Sequence, residues 1–200
     1  MNQAEFYERL ARQKMIASVK EPKYLEKAAE AEVGAVVLST GNIGVIKRYV
    51  DFFKSHDVPV FLHLERIGGI SYDREGVAFV AHYVKPDGIV TTRNTLIKLA
   101  KKEKLLTIQR LFLVDSDALK SGLLSVKETQ PDAVELMPAL LPEFIAEYAQ
   151  ELKGTPIIAG GLIRKREQME TALQYGAAAV SVGSYSLWKE CLADVSMPVV

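Results

Sequence analysis

The strongest constraint on the fold is an eightfold alternation of short apolar runs with amphipathic segments. The apolar runs are rich in β-branched residues or bounded by turn residues, and they therefore predict β-strands. The runs cover residues 15–19, 35–38, 58–64, 88–90, 105–114, 133–137, 156–159 and 177–182. The segments between them carry apolar residues at helical spacing, with Lys and Glu on the opposite face, and they predict helices.

Alternating strands and helices predict a parallel sheet with right-handed crossovers. Eight such units are typical of a compact (β/α)8, TIM-like barrel of the α/β class, and 200 residues is near its lower size limit. A doubly wound open sheet is the alternative, but no glycine-rich dinucleotide fingerprint follows the first strand. We predict a single domain over residues 1–200, with an N-terminal helix within 1–14, a last helix at 184–192 and a C-terminal tail at 191–200.

Composition excludes several classes of protein. The 25 basic residues balance the 25 acidic ones, so overall charge gives no attraction to nucleic acid or anionic lipid. The single Cys fits a reducing compartment, and no apolar run reaches the ~18 residues that span a bilayer. We therefore expect a cytoplasmic protein with no membrane partner. No Cys or His spacing suggests a metal site, and we expect neither a metal nor a cofactor.

Polar side chains fall at the ends of several predicted strands, where a barrel places its functional site. Alternation along each strand puts His63, Glu65 and Glu135 on the less aliphatic, inward face. The register of the fifth strand is ambiguous, because either Gln109 or Arg110 could face inward. The set predicted at the mouth of the barrel is Lys20, His63, Glu65, Gln109, Arg110 and Glu135. Pairing of Arg110 with Glu135 inside the barrel is an equally good account of those two residues.

Glycines follow the seventh and eighth strands, where barrels commonly bind phosphate. Gly160 and Gly161 end the seventh run, and Gly183 and Ser184 follow the eighth. Glycine lets the backbone approach a ligand closely, and helix N-terminal N–H groups favour an anion. Together these four residues predict a site for a phosphorylated ligand. Ser184 can equally be an N-cap in the absence of any ligand.

A basic triplet, Arg164, Lys165 and Arg166, lies just beyond the glycine pair. A solvated helix start is the more common explanation of such a triplet. Three cations beside a helix N-terminus are nevertheless unfavourable for the helix dipole, so a polyanion such as RNA could use them.

Five motifs are shared with a known family. They are FLHL at 61–64, DGIVTT at 87–92, LTIQRLF at 106–112, VELMP at 134–138 and PIIAGGLI at 156–163. Through these motifs, and over almost its whole length, the chain resembles the glycerol-3-phosphate-responsive antiterminators of bacterial glycerol uptake operons. The chain departs from the family pattern at Glu65 and Arg66, at Ala139, and at 182–184.

The resemblance implies a regulator with no catalytic residues. Its effector would be glycerol 3-phosphate and its partner the leader mRNA of a glycerol utilisation operon, where it would prevent early termination of transcription. His63, Arg110 and Glu135 would then hold the glycerol hydroxyls, and a homodimer would double the basic surface. The alternative function is a barrel enzyme acting on a small phosphorylated sugar or polyol, with His63 and Glu135 as acid and base.

Overall fold

A computed structural model, which describes residues 1–192 and 194–195, confirms the predicted architecture as a closed parallel barrel. Each strand pairs with the next one in the chain, and the last returns to pair with the first. The strands are β1 (Met15–Val19), β2 (Ala35–Leu38), β3 (Val60–His63), β4 (Gly88–Thr91), β5 (Leu106–Phe112), β6 (Ala133–Met137), β7 (Ile157–Gly160) and β8 (Ala179–Val182). The apolar runs therefore located all eight strands.

Helices surround the barrel, one before the first strand and one after each of the first seven strands. They are α1 (Gln3–Gln13), α2 (Leu25–Ala29), α3 (Ile46–Ser55), α4 (Arg74–Phe79), α5 (Asn94–Lys102), α6 (Ser116–Thr129), α7 (Pro142–Glu151) and α8 (Arg166–Gln174). Side-chain caps begin several of them; Asp73 accepts from Gly76 N–H and Asp115 from Ala118 N–H. The main apolar core lies between these helices and the outer face of the barrel.

A second, smaller core fills the inside of the barrel. Ile16, Phe61, Val90 and Ile108 are among its buried members. The Phe61 ring occupies the space where a side chain at Gly88 would lie, which explains why only glycine fits there. Small residues thus alternate with large ones so that the interior is packed rather than open.

The chain after β8 differs from the prediction. A three-residue 3-10 helix, Tyr185–Leu187, replaces the α-helix expected at 184–192. The chain then folds back against β8 at Trp188, whose buried indole N–H donates to the carbonyl of Val182 over 2.8 Å. Of the tail predicted at 191–200, residues 193 and 196–200 lie outside the described residues.

Candidate functional site

A pocket of about 560 Å3 opens at the carboxyl ends of the strands. We call it the mouth pocket; Lys20, His63, Arg110, Gly161 and Gly183 mark its boundary. Its volume lies within the range of small-molecule sites, roughly 300–1,000 Å3. Its position matches that of active and binding sites in barrels of this type.

A buried hydrogen-bond network, which we call the floor, underlies the mouth pocket: His63 and Arg110 line the pocket, whereas Glu135 does not line it and contacts Arg110. The parallel register of β5 and β6 puts Arg110 beside Glu135, and Arg110 Nε donates to Glu135 Oε2 over 2.7 Å. Arg110 Nη1 donates to His63 Nδ1 over 3.0 Å. All three side chains are buried, so each charge needs the partners it has. The predicted Arg110–Glu135 pair is therefore present.

His63 is held in its neutral form by this environment. Burial, together with the adjacent Arg110 guanidinium, lowers the pKa of His63 to about 4. Because Nδ1 accepts from Arg110, the proton of the neutral ring lies on Nε2, which is 3.7 Å from Glu65 Oε2. At neutral pH His63 therefore offers a ligand a neutral ring rather than a charge.

Three buried side-chain oxygens have no hydrogen-bond partner among the residues that the structure describes; one is Glu65 Oε2, and the other two flank Gly160. These two are Glu135 Oε1 and Ser181 Oγ. A Cβ at Gly160 would lie 2.8 Å from Glu135 Oε1, 3.1 Å from Met137 Cε and 3.3 Å from Ser181 Cβ, so only glycine fits against these three side chains. Because an unpaired buried oxygen is costly, the two oxygens favour a hydrogen-bond donor such as a hydroxyl, an amine or a water.

The rim of the mouth pocket is cationic. Lys20, Arg66 and Arg164 line it, and none of them forms an ion pair with the part of the chain that the structure describes. Within the same described part, the lining includes no Asp or Glu. The pocket therefore concentrates positive potential and favours an anionic ligand.

Backbone N–H groups contribute a second attraction for an anion. Those of Gly161, Gly183 and Ser184 donate no hydrogen bond to any described residue. Gly161 adopts a positive φ of 80°, which favours glycine at this turn. Lys20 Nζ lies 3.3 Å from the position that a Cβ at Gly183 would occupy, so its ammonium covers the same backbone. The arrangement resembles a phosphate cradle between β7 and β8.

The structure resolves the ambiguity of the fifth strand and corrects the placement of Gln109 at the mouth. Arg110 faces inward, whereas Gln109 lies outside the barrel beneath α5 and α6. Its amide donates to Asn94 Oδ1 over 3.0 Å and to Ser125 Oγ over 2.6 Å, and it accepts from Thr129 Oγ1 over 2.5 Å. These bonds engage both ends of the amide, so Gln109 links β5 to α5 and α6 and does not line the pocket.

Glu65 and Gly160 lie close to the mouth pocket but do not line it. The chain leaves β3 in a 3-10 turn that directs Glu65 toward β4, where Thr91 Oγ1 donates to its carboxylate over 2.6 Å. Burial raises the pKa of Glu65, but this bond and the Thr92 N–H outweigh it and leave the pKa below its usual value. Gly160 ends β7 beneath the pocket, and its carbonyl accepts from Ala139 N–H.

The basic triplet is divided between three environments. Arg164 lines the mouth pocket, and Lys165 is exposed at the start of α8. Arg166, expected to be available to RNA, instead donates to Glu170 over 2.7 Å and to Glu190 over 3.0 Å. These hydrogen bonds raise its pKa further. Arg166 therefore ties α8 to the chain after β8.

Sequence reasoning missed Arg66 and Ser181 as members of the site. Ser181 precedes Gly183 by two residues and so shares its face of β8, a relation that strand alternation could have revealed. Arg66 follows a 3-10 turn, where alternation no longer predicts direction. Ser18 and Ser39 add further hydroxyls to the lining.

Among residues 1–192 and 194–195 no group of three or more His, Cys, Asp or Glu is arranged to hold a metal ion. No helix in the same described residues is long and apolar enough to cross a membrane.

Sequence comparison identifies relatives over most of the chain. Residues 15–188 match the family model described as "Glycerol-3-phosphate responsive antiterminator". A protein of Escherichia coli strain K12, described as "Uncharacterized protein YgcP", is 29% identical over 174 residues, which are 87% of this chain and 91% of that protein.

Two solved structures share both sequence and architecture with the chain. The glycerol uptake operon antiterminator regulatory protein of Listeria monocytogenes is 34% identical with a TM-score of 0.84, and the match covers 88% of this chain and 95% of that one. A glycerol uptake operon antiterminator-related protein of Thermotoga maritima is 25% identical with a TM-score of 0.79, covering 89% and 99%.

Proposed function

The chain belongs to the glycerol-3-phosphate responsive antiterminator family, and from that membership we propose that it binds glycerol 3-phosphate in the mouth pocket. In the bound state it would bind the leader RNA of a glycerol utilisation operon and prevent early termination of transcription. The single observation that carries the ligand assignment is the mouth pocket itself, which combines a cationic rim with a polar floor. Action on nascent mRNA places the protein in the cytoplasm.

The phosphate group would lie at the cradle between β7 and β8. There the free N–H groups of Gly161, Gly183 and Ser184 meet the ammonium group of Lys20. Arg164 lines the same side of the pocket and adds a second charge. Phosphate carries close to two negative charges at neutral pH, so it complements both the dipoles and the cations of this region.

The glycerol end would then lie over the floor. Its hydroxyls can donate to Glu135 Oε1, whose other oxygen is occupied by Arg110, and to Ser181 Oγ. His63, neutral with its proton on Nε2, is a further polar group of the lining. A ligand hydroxyl that pairs both orphaned oxygens removes their desolvation penalty, which gives selectivity for a polyol phosphate over inorganic phosphate.

Binding accounts for the floor better than catalysis does. A general acid or base needs a pKa near the working pH and a free proton-transfer atom. His63 has a pKa of about 4, with Nδ1 engaged by Arg110, and Glu135 Oε2 accepts a hydrogen bond from the same guanidinium. We therefore propose a sensor without catalytic residues, requiring neither metal nor cofactor.

Thermal unfolding with and without ligand tests the sensor function. Glycerol 3-phosphate at 100 times its dissociation constant should add roughly 2.7 kcal/mol to the free energy of unfolding. Glycerol at the same concentration should give no shift, and inorganic phosphate only a smaller one. A shift with phosphate that equals the shift with glycerol 3-phosphate would reduce the pocket to a general anion site. No shift at saturation would exclude glycerol 3-phosphate as the effector.

Matched substitutions assign any shift to the mouth pocket. Lys20→Met should reduce the response to glycerol 3-phosphate at least tenfold in apparent affinity, because it removes the ammonium over Gly183. Lys153→Met removes an exposed lysine from the opposite end of the barrel and should leave the response unchanged. Equal effects of both substitutions would indicate a nonspecific effect of charge.

The RNA function requires a second assay. Filter binding of the leader transcript should show that affinity rises with glycerol 3-phosphate and falls steeply with salt, because phosphate contacts release counterions. The rise in RNA affinity equals the ligand's preference for the RNA-bound state. Identical affinity with and without ligand would remove the proposed coupling. Sedimentation of the complex would show whether a homodimer binds the RNA.

A further inference from the structure

The surface that would contact RNA is not identified by the basic triplet. Arg166 is engaged by Glu170, Glu190 and Asp194, at 2.7, 3.0 and 3.6 Å. These three carboxylates engage the guanidinium, so Arg166 is not free to bind a polyanion. An RNA-binding surface should therefore lie elsewhere on the rim. The inference below rests on the proposed RNA function.

An exposed aromatic and cationic surface lies beside β1 and β8. It consists of Lys23 and Tyr24 in the 3-10 turn Pro22–Tyr24, Lys27 on α2, and Tyr185; we call it the tyrosine–lysine surface. The rings of Tyr24 and Tyr185 stack with their centroids 4.7 Å apart and an angle of 22° between the planes. Tyr185 is 42% exposed, so the stack is open to solvent at one end.

Lysine side chains lie against both rings. Lys27 Nζ is 4.3 Å from the centroid of Tyr185, and Lys23 Nζ is 4.9 Å from that of Tyr24. Lys27 has no acidic partner among the described residues, whereas Lys23 also pairs with Glu21. Such flexible side chains can leave a ring face for a nucleic-acid phosphate and free the ring for a base. Stacked aromatic rings flanked by lysines are the usual composition of single-strand binding surfaces.

The tyrosine–lysine surface is continuous with the proposed phosphate cradle. Tyr185 directly follows Gly183 and Ser184, and Lys20 precedes Tyr24 by four residues. A ligand phosphate that fixes Gly183 and Lys20 therefore acts on the two chain segments that carry the stacked rings. This link offers a physical route by which effector binding could change RNA affinity.

We propose that the tyrosine–lysine surface binds unpaired nucleotides of RNA, with bases stacked on Tyr185 and Tyr24 and phosphates bound by Lys23 and Lys27. Unpaired nucleotides fit better than a duplex, because paired bases have no free face to stack on a protein ring. In a leader transcript, loops and single-stranded segments offer such nucleotides.

Substitutions at the surface, measured against the leader transcript with glycerol 3-phosphate present, test this inference. Lys27→Glu should lower RNA affinity at least tenfold and reduce the slope of log affinity against log salt, because a phosphate contact is lost. Tyr185→Ala should lower affinity about tenfold through lost stacking, whereas Tyr185→Phe should retain it. Lys153→Glu, the same charge change at the opposite end of the barrel, should have little effect.

The outcomes distinguish a failure of the tyrosine–lysine surface from a failure of the proposed RNA function. Each variant must keep the thermal shift with glycerol 3-phosphate, which shows that it is folded and that its mouth pocket is intact. Unchanged RNA affinity in Lys27→Glu and Tyr185→Ala, or an equal loss in Lys153→Glu, would overturn the surface while leaving the RNA function in place. A wild-type protein that binds no leader RNA would overturn the RNA function and this surface with it. A change of oligomeric state with RNA affinity unaffected would make the surface a self-association face and overturn the inference.

Discussion

The two ends of the barrel hold their charged groups in different ways. At the amino ends of the strands a cavity of about 270 Å3 contains groups that pair with one another: the Met1 ammonium with Asp87 at 3.3 Å, and Arg9 with Asp57 at 2.7 Å. At the carboxyl ends Lys20, Arg66 and Arg164 have no ionic partner among the described residues. The ion pairs at the first end form within the chain, whereas under the proposed function the cations at the second end would pair with a ligand.

The two ends of the barrel also differ in whether a helix covers the apolar interior. Helix α1, begun by a capping box of Asn2 and Glu5, covers the amino end, and its Phe6 and Leu10 are buried inside the barrel. The Phe6 ring lies 4.8 Å from that of Phe61. The carboxyl end has no such cover in the described residues. We therefore expect the covered end to contribute mainly to stability and, under the proposed function, the open end to bind the ligand.

The largest effect should follow from opening the covered end. Phe6→Ala removes a fully buried ring and should lower the free energy of unfolding by about 4 kcal/mol. Urea denaturation measures this loss, and the affinity for glycerol 3-phosphate of the protein that remains folded should be unchanged. Glu8→Ala on the exposed face of α1 is the control and should stay within about 0.5 kcal/mol of wild type. A comparable loss of unfolding free energy in both variants would show that burial of Phe6 is not what stabilises the covered end.

Breaking the buried pair at the open end should have the next largest effect. Glu135→Leu leaves Arg110 charged and unpaired, and should lower the free energy of unfolding by about 3 kcal/mol. The double variant Glu135→Leu with Arg110→Met should recover most of that stability while losing the response to glycerol 3-phosphate. A double variant that still binds the ligand would show that this pair is structural only.

His63 should make the open end sensitive to acid. Its pKa is about 4 in the fold against 6.5 in the unfolded chain, so the unfolded state takes up the proton first as pH falls. The contribution is complete above pH 6.5 and should have fallen by about 2 kcal/mol at pH 5. Urea denaturation at pH 7 and pH 5 should show this extra loss in wild type and its absence in His63→Gln. An identical pH dependence in the two proteins would contradict the assignment.

Ser181→Ala should give the smallest change in stability and should still weaken the binding of glycerol 3-phosphate. The hydroxyl has no partner among the described residues, so its removal should change the free energy of unfolding by less than about 0.5 kcal/mol. Calorimetry should show a five- to tenfold loss of affinity for glycerol 3-phosphate, equivalent to about 1 kcal/mol. Unchanged affinity would place the glycerol hydroxyls away from β8.

Strand and helix periodicity was enough to predict the barrel, because a parallel strand that is buried on both faces appears in the sequence as a continuous apolar run. The inward direction of His63 and Glu135 also followed from alternation. Gln109 could not be assigned in this way, because the outer face of β5 meets polar groups of α5 and α6 and so looks like an inner face in the sequence. The pairing of Arg166 with Glu190 depends on how the chain turns after β8, which no local pattern encodes.

The most direct test of this account is a crystal structure of the protein with glycerol 3-phosphate bound. We expect the phosphate to lie within hydrogen-bond distance of the Gly161 and Gly183 N–H groups, with a glycerol hydroxyl against Glu135 Oε1. A phosphate bound instead at the Arg9 cavity, or a ligand that leaves Glu135 Oε1 and Ser181 Oγ unpaired, would contradict it.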